Sequence, residues 1–208
     1  VPALTFVASV NSIKFCNAIP HFIDSDISDF GIDVDKLNKY LEKNTHTKNN
    51  SLYNKKSGRR IFAIMPVHIF GMPCNIIGIQ KIAKKFNLKV VEDATEALGS
   101  KFKGKQMGTF GDIGVLSFNA NKIITTGGGG ALIIKNKKDY NKALHLSTTA
   151  KVNHKWRLQH RNIGWNIRMP ALNASLGYSK LRNFSKILIK KRNLAHRYRQ
   201  LFKNTSLS

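Results

Sequence analysis

Apolar positions along the chain switch repeatedly between two spacings. Ile61-Phe-Ala-Ile-Met65, Lys89-Val-Val-Glu-Asp93, Val115 to Phe118 and Ala131 to Ile134 are short β-prone runs bounded by glycine or polar residues, the pattern of buried strands. Ile19 to Asp24 is expected as a further strand, and Phe6 to Cys16 starts strand-like and continues helical. Ile76, Ile79, Ala83 and Phe86 recur at helical spacing. Val34, Leu37 and Leu41 share one face of a shorter helix, for which Asp33 supplies the N-cap. A helix is expected from Lys138 to Leu146. Pro170 is placed to open another, with Leu172, Leu176, Leu181 and Phe184 partly periodic. Ile187 to Phe202 reads as a basic amphipathic helix ending near Asn204. Asn44 to Arg60 follows neither spacing, and its Asn, Lys, Ser and Thr content predicts an exposed loop.

Strand, helix and strand in alternation, with short connections, imply βαβ units and a largely parallel sheet. Ligands collect at the carboxyl ends of such strands. Asp93 stands at one of those ends, the loop containing His68 at another, and Lys122 follows a third.

Composition narrows this picture in part. With 208 residues and 42% hydrophobic content the chain can bury a sizeable core. Its net charge of +24 favours anionic partners, from nucleic acid to phosphorylated small molecules. The lysines are dispersed, however, which reads as solvated surface and makes a nucleic-acid partner the weaker expectation. No apolar run reaches the length of a membrane span. Cys16 and Cys74 are far apart and form no CxxC, so reduced thiols and a cytoplasmic setting are expected. The chain opens at Val1 without an initiator methionine, and a preceding segment is expected.

Several motifs fail on chemistry. Gly99-Ser-Lys-Phe-Lys-Gly104-Lys105-Gln106 resembles a phosphate-binding loop, but Gln106 replaces the hydroxyl that would hold Mg²⁺ and no strand leads directly into Gly99; a hairpin is expected instead. The histidines and cysteines show no metal-ligand spacing, so no metal is expected. Lys122 lies between two strands and shortly before Gly127-Gly-Gly-Gly130. On spacing alone it is equally a snorkelling side chain at a strand end or a functional amine. Asp93 is either the cap of a following turn or the partner of a cationic ring nitrogen, since a carboxylate at a buried strand end must be paired. Taken together, Asp93, Ser117, Lys122 and the glycine-rich turn fit a lysine-bound pyridoxal phosphate.

A series of blocks carries a family resemblance. They are Thr5-Phe6-Val-Ala-Ser9, Pro66-Val-His68-Ile-Phe-Gly71-Met-Pro73, and Val91-Glu-Asp93-Ala-Thr-Glu96-Ala-Leu-Gly99-Ser100. Gly108-Thr-Phe-Gly-Asp112, Ser117-Phe-Asn-Ala-Asn-Lys122 to Gly130, and Ile163-Gly-Trp-Asn166-Ile-Arg168-Met-Pro170-Ala-Leu-Asn173 follow in order. In this order and spacing the chain resembles the DegT/DnrJ/EryC1/StrS sugar aminotransferases. The resemblance implies an α/β fold of the fold-type I, aspartate aminotransferase-like kind: a three-layer sandwich around a mostly parallel sheet. Residues 1–184 would belong to the cofactor-binding large domain, N-terminally incomplete, and 185–208 would begin a small C-terminal domain. The family's Gly-Thr-Ala-type opening segment has no match here, so the chain reads as a fragment.

By the same resemblance Lys122 would carry pyridoxal 5′-phosphate as a Schiff base and Asp93 would pair with the ring nitrogen. Ser117 would contact the phosphate, Phe6 would stack on the ring, and Asn166 would reach the phosphate in the other subunit of a homodimer. Glu96 stands where many members carry glutamine near the ring, and Ser9 where threonine is usual. The implied reaction is transamination of a nucleotide-linked keto sugar, at C4, with glutamate as amino donor, for surface polysaccharide or nonulosonic acid synthesis. The competing reading is a catalytically incompetent remnant, or a basic protein that binds polyanions.

Overall fold

The computed structural model describes residues 1–152, 154–203 and 205. They divide into two compact units, Val1–Leu116 with Ala131–Arg168, and Ser117–Gly130 with Met169–Ser208.

In the first unit, α1 (Val7–Phe15) is followed by α2 (Val34–Asn44). The Asp33 carboxylate accepts the Lys36 N–H at 2.9 Å, capping α2 as its sequence predicts, and Leu37 and Leu41 form its buried stripe. The expected strand over Ile19 to Asp24 does not form. Pro20 has no N–H for a ladder and Ile19 and Phe22 are exposed, so only Ile23 pairs, in a single parallel bridge to Pro2.

The stretch read as an exposed loop is instead a three-stranded antiparallel sheet of β1 (Thr45–Lys48), β2 (Ser51–Asn54) and β3 (Arg60–Ile61). Its first turn is Asn49-Asn50, both at positive φ (49° and 56°), the geometry that matches the twist of a two-residue hairpin. Leu52 alone among these strands' apolar residues is fully enclosed, which is why polarity hid the sheet. The run Ile61 to Met65 splits between two sheets: Ile61 pairs antiparallel with Leu52, and β4 (Ala63–Ile64) pairs elsewhere.

A 3-10 turn at Ile69–Gly71 leads to α3 (Ile76–Lys85), capped by Asn75, whose side chain accepts the Gly78 N–H at 3.1 Å. Ile76, Ile79, Ile82 and Ala83 are buried on one side of this helix. Each fully buried isoleucine contributes roughly 1.5–3 kcal/mol from apolar area alone. Next comes β5 (Lys89–Asp93), then the hairpin of β6 (Lys101–Phe102) and β7 (Lys105–Gln106), then β8 (Ile113–Ser117), β9 (Gly130–Ile134) and α4 (Lys137–Ser147). The hairpin occupies the stretch that mimics a phosphate-binding loop, with its turn at Lys103-Gly104.

The second sheet has the order β4-β5-β8-β9. The β4–β5 and β5–β8 pairs are parallel, with Ile64 opposite Val90 and Asp93 opposite Val115. The fold is therefore mixed α/β around a mostly parallel sheet. The core gathers Ile64, Val90, Ile76, Ile79, Ala94 and Met107.

In the second unit, Ser117–Gly130 accompanies α5 (Ala171–Arg182) and α6 (Phe184–Phe202). Pro170 occupies the N-cap of α5, where the missing N–H costs nothing. Neither helix buries a side chain; Leu172, Leu176 and Leu181 are all exposed. The expected end of α6 near Asn204 lies outside the described residues. Among the described residues no helix is long and apolar enough to cross a membrane.

Candidate functional site

In the first unit, Asp93 is the last residue of β5, at the carboxyl end of a parallel strand. Its backbone is fixed on one side by Asp93 N–H to Pro66 O (2.9 Å) and His68 N–H to Asp93 O (3.0 Å). Its side chain takes two hydrogen bonds: Oδ2 accepts from the Ser9 hydroxyl at 2.6 Å, and Oδ1 accepts from the Thr95 N–H at 3.2 Å. Thr5 Oγ1 donates in turn to Ser9 Oγ at 3.1 Å, so a relay of two hydroxyls ends on the carboxylate.

Ser9 is 5% exposed, and its N–H is bonded to Phe6 O at 3.1 Å. Phe6 is the N-cap residue of α1 and leaves 74% of its surface exposed. The first turn of α1 thus links the Phe6 backbone to Asp93 through Ser9, and the Phe6 ring is left open to solvent. Glu96 lies exposed in the turn after β5. Asn166 is exposed on a separate stretch, bridged to Thr148.

In the second unit, Ser117 and Lys122 share a loop closed by Phe118 N–H to Gly129 O (2.9 Å) and Thr126 N–H to Phe118 O (3.0 Å). Ser117 Oγ accepts the Asn119 N–H at 3.3 Å, and Lys122 N–H reaches Asn119 O at 3.0 Å. Of the four glycines, Gly127 and Gly129 adopt positive φ (81° and 93°), which a side chain would strain. Asn173, from α5, donates its amide to Thr126 O at 2.6 Å and so pins the loop that carries Lys122.

Beneath Asp93 lies a pair that the sequence pattern did not single out as functional. His68 and Glu92 are 1% and 0% exposed, with Nε2 to Oε2 at 3.1 Å. The Cys74 N–H points at His68 Nδ1 (3.4 Å), which assigns the proton to Nε2 and makes the ring the donor to Glu92. Glu92 also accepts from Gly108 N–H at 2.8 Å, Phe110 N–H at 2.5 Å and Gly111 N–H. Burial pushes the Glu92 carboxyl up, but the hydrogen bonds from His68, Gly111 and Gly108 outweigh it and hold the group below the usual carboxylate range. The nearby Cys74 thiol is pushed up by burial, with the charges of Asp29 and Glu92 adding to the shift. A signal for this pair existed: period-2 alternation puts Glu92 on the same buried face as Val90, where a carboxylate requires partners.

Taken unit by unit, the residues present are of the kinds that pyridoxal phosphate requires. Asp93 offers an oriented carboxylate for a cationic ring nitrogen, and Phe6 offers an uncovered aromatic face. Ser117 and Lys122 supply a hydroxyl and an amine on one glycine-hinged loop.

Comparison with known proteins gives a consistent family. The model described as the DegT/DnrJ/EryC1/StrS aminotransferase family matches residues 1–208. GDP-perosamine synthase of Escherichia coli O157:H7 is 38% identical over 200 residues, covering 96% of this chain and 50% of that protein. UDP-4-amino-4,6-dideoxy-N-acetyl-beta-L-altrosamine transaminase of Campylobacter jejuni is 32% identical over 200 residues, again 96% of this chain and 50% of that protein. Among solved structures, Helicobacter pylori PseC, an aminotransferase involved in the biosynthesis of pseudoaminic acid, superposes with a TM-score of 0.84 at 26% identity, over 97% of this chain and 50% of its own. The chain spans about half the length of the curated relatives it matches.

Proposed function

The chain belongs to the DegT/DnrJ/EryC1/StrS aminotransferase family, and from that premise we propose that it forms the cofactor-binding part of a pyridoxal-phosphate-dependent aminotransferase of nucleotide-linked keto sugars. The observation that carries this reading is the Asp93 carboxylate, held by Ser9 at 2.6 Å at the carboxyl end of β5. Bound pyridoxal phosphate supplies an electron sink for a carbanion next to the transferred nitrogen.

The chain's own residues then have distinct tasks. Asp93 holds the proton on the ring nitrogen, and the Ser9 and Thr95 donors keep its carboxylate aimed. Phe6 covers one face of the ring and excludes water from it. Ser117 binds the phosphate, and Glu96 stands near the ring. Lys122 Nζ would anchor the cofactor and, as a free amine, would serve as the general base and acid that moves the proton. Asn166, exposed on its own stretch, reaches the phosphate in a partner copy, so the working enzyme is a homodimer. Residues 1–184 belong to the large domain and 185–208 begin the small one. The setting is cytoplasmic.

Transfer to C4 is supported by the 4-amino group in the name of the Campylobacter jejuni relative. A surface-glycan or nonulosonic acid product is supported by the involvement of Helicobacter pylori PseC in the biosynthesis of pseudoaminic acid. Glutamate is the proposed donor. The surplus of positive charge, +24, suits a substrate carrying a diphosphate.

The test is covalent trapping. Protein incubated with pyridoxal phosphate and then borohydride should carry the cofactor's mass on the peptide containing Lys122, and Lys122→Ala should abolish the label. Label spread over surface lysines, or none, overturns the proposal. In that case steeply salt-dependent binding to a polyanion would identify the chain as a basic binding protein.

A further inference from the structure

We propose that the buried His68–Glu92 pair is a positioning device for Asp93 and for the turn carrying Glu96. The inference rests on the proposed function and deepens it. Three segments meet on these two side chains. Glu92 belongs to β5 and precedes Asp93 directly. Its carboxylate gathers the N–H groups of Gly108, Phe110 and Gly111, which tie the turn before β8 to β5. Its fourth contact is His68, in the turn after β4, and the His68 ring is steadied from behind by the Cys74 N–H.

That turn is the one that grips Asp93 and its successors. The His68 N–H bonds Asp93 O at 3.0 Å. Three residues on, Gly71 lies so close to the Glu96 carbonyl that a Cβ there would stand 2.8 Å from its oxygen. Gly71 is at φ +78°, so the turn can make this approach only with glycine. The His68 side chain therefore fixes a turn whose backbone holds Asp93 at one end and rests on Glu96 at the other. Glu92 fixes His68. Neither side chain is exposed, so neither touches the cofactor; they act through the backbone.

A positioning role for Asp93 makes a prediction that a purely structural role does not. Asp93 pairs with the ring nitrogen alone, so its misplacement should weaken only ligands that have that nitrogen. The experiment measures dissociation constants of the purified chain for pyridoxal 5′-phosphate and for its 1-deaza analogue, in which carbon replaces the ring nitrogen. The native chain should prefer pyridoxal phosphate. Glu92→Gln should cut that preference by about tenfold, the equivalent of one weakened charged contact, while leaving affinity for the deaza analogue within about twofold. If Glu92→Gln does not fold, His68→Leu gives the same comparison, because it leaves the three backbone donors on Glu92 in place. Equal weakening of both ligands, or an unchanged preference in the folded variant, overturns the positioning role. A native chain that binds neither ligand, or both equally, overturns the proposed role of Asp93 itself and the present inference with it.

Discussion

Gly114→Ala should be among the most damaging single-methyl additions to this chain, and the reason can be worked from the packing. Gly114 sits in β8 opposite Glu92, where a Cβ would stand 1.9 Å from Gly108 O and 2.6 Å from Gly108 C. Cβ atoms essentially never approach heavy atoms closer than 3.0 Å, so a shift of at least 1.1 Å (3.0 less 1.9) is required. The obstacle is backbone, and it is held: Gly108 N–H is bonded to the buried Glu92 carboxylate at 2.8 Å. Moving it breaks a hydrogen bond to a charged group, about 1.5–3 kcal/mol. Overpacking strain adds roughly 1–3 kcal/mol. The sum, roughly 2.5–6 kcal/mol, is a large part of the ~5–15 kcal/mol that holds a typical domain folded. In a chain of this size that corresponds to a fall in Tm of roughly 5–24 °C. Urea titration followed by far-UV circular dichroism measures it, with Gly128→Ala as the control, since a Cβ at Gly128 meets nothing within 4 Å. A loss below about 1 kcal/mol for Gly114→Ala would refute the claim that the Gly108 backbone is immovable.

Two further outcomes follow from the same geometry. Because the Glu92 carboxyl is held below its usual range in the fold, its contribution is fully present above the ordinary glutamate value of about 4.3 and is lost as pH falls through the folded value. The difference in urea midpoint between the native chain and Glu92→Gln should therefore be widest near neutrality and shrink on acidification; a gap independent of pH would contradict this. Asn173→Ala removes the 2.6 Å hydrogen bond to the carbonyl of Thr126, a residue 2% exposed, at a cost of about 1–3 kcal/mol for the buried acceptor left unpaired. Hydrogen exchange should report it as faster exchange of the Thr126 amide, with the amides of α3 unchanged, and an unaltered Thr126 rate would show that Asn173 does not pin the loop.

Most of the mostly parallel sheet was legible in the chain because its strands carry their own signal. The runs at Val90, Val115 and Leu132 are β-prone and bounded by turns, and the isoleucines of α3 fall at helical spacing. Asp33 as a cap and the hairpin at Lys101 to Gln106 were legible for the same local reasons. The three-stranded antiparallel sheet was not, because Leu52 alone among its apolar residues is fully enclosed while most of its other positions are polar. Its local clue was Asn49-Asn50, two residues that tolerate positive φ. Ile19 to Asp24 erred the other way: the run is apolar, but two of its large side chains remain exposed and only Ile23 finds a partner.

The order of residues alone set which side chains are proposed for the chemistry: Phe6, Asp93, Glu96, Ser117, Lys122 and Asn166, in blocks specific enough to identify a family. It could do so because a strand end, a glycine turn and a motif are local in the chain. How Asp93 is held was settled only by the folded chain. Ser9 is 84 positions away from Asp93, His68 is 24 from Glu92, and Gly108 is 16 from it. Nothing in local propensity relates such positions. They meet because parallel pairing of β4, β5 and β8 brings the turns at their ends together, and because a carboxylate buried there is stable only when each of its oxygens finds a donor.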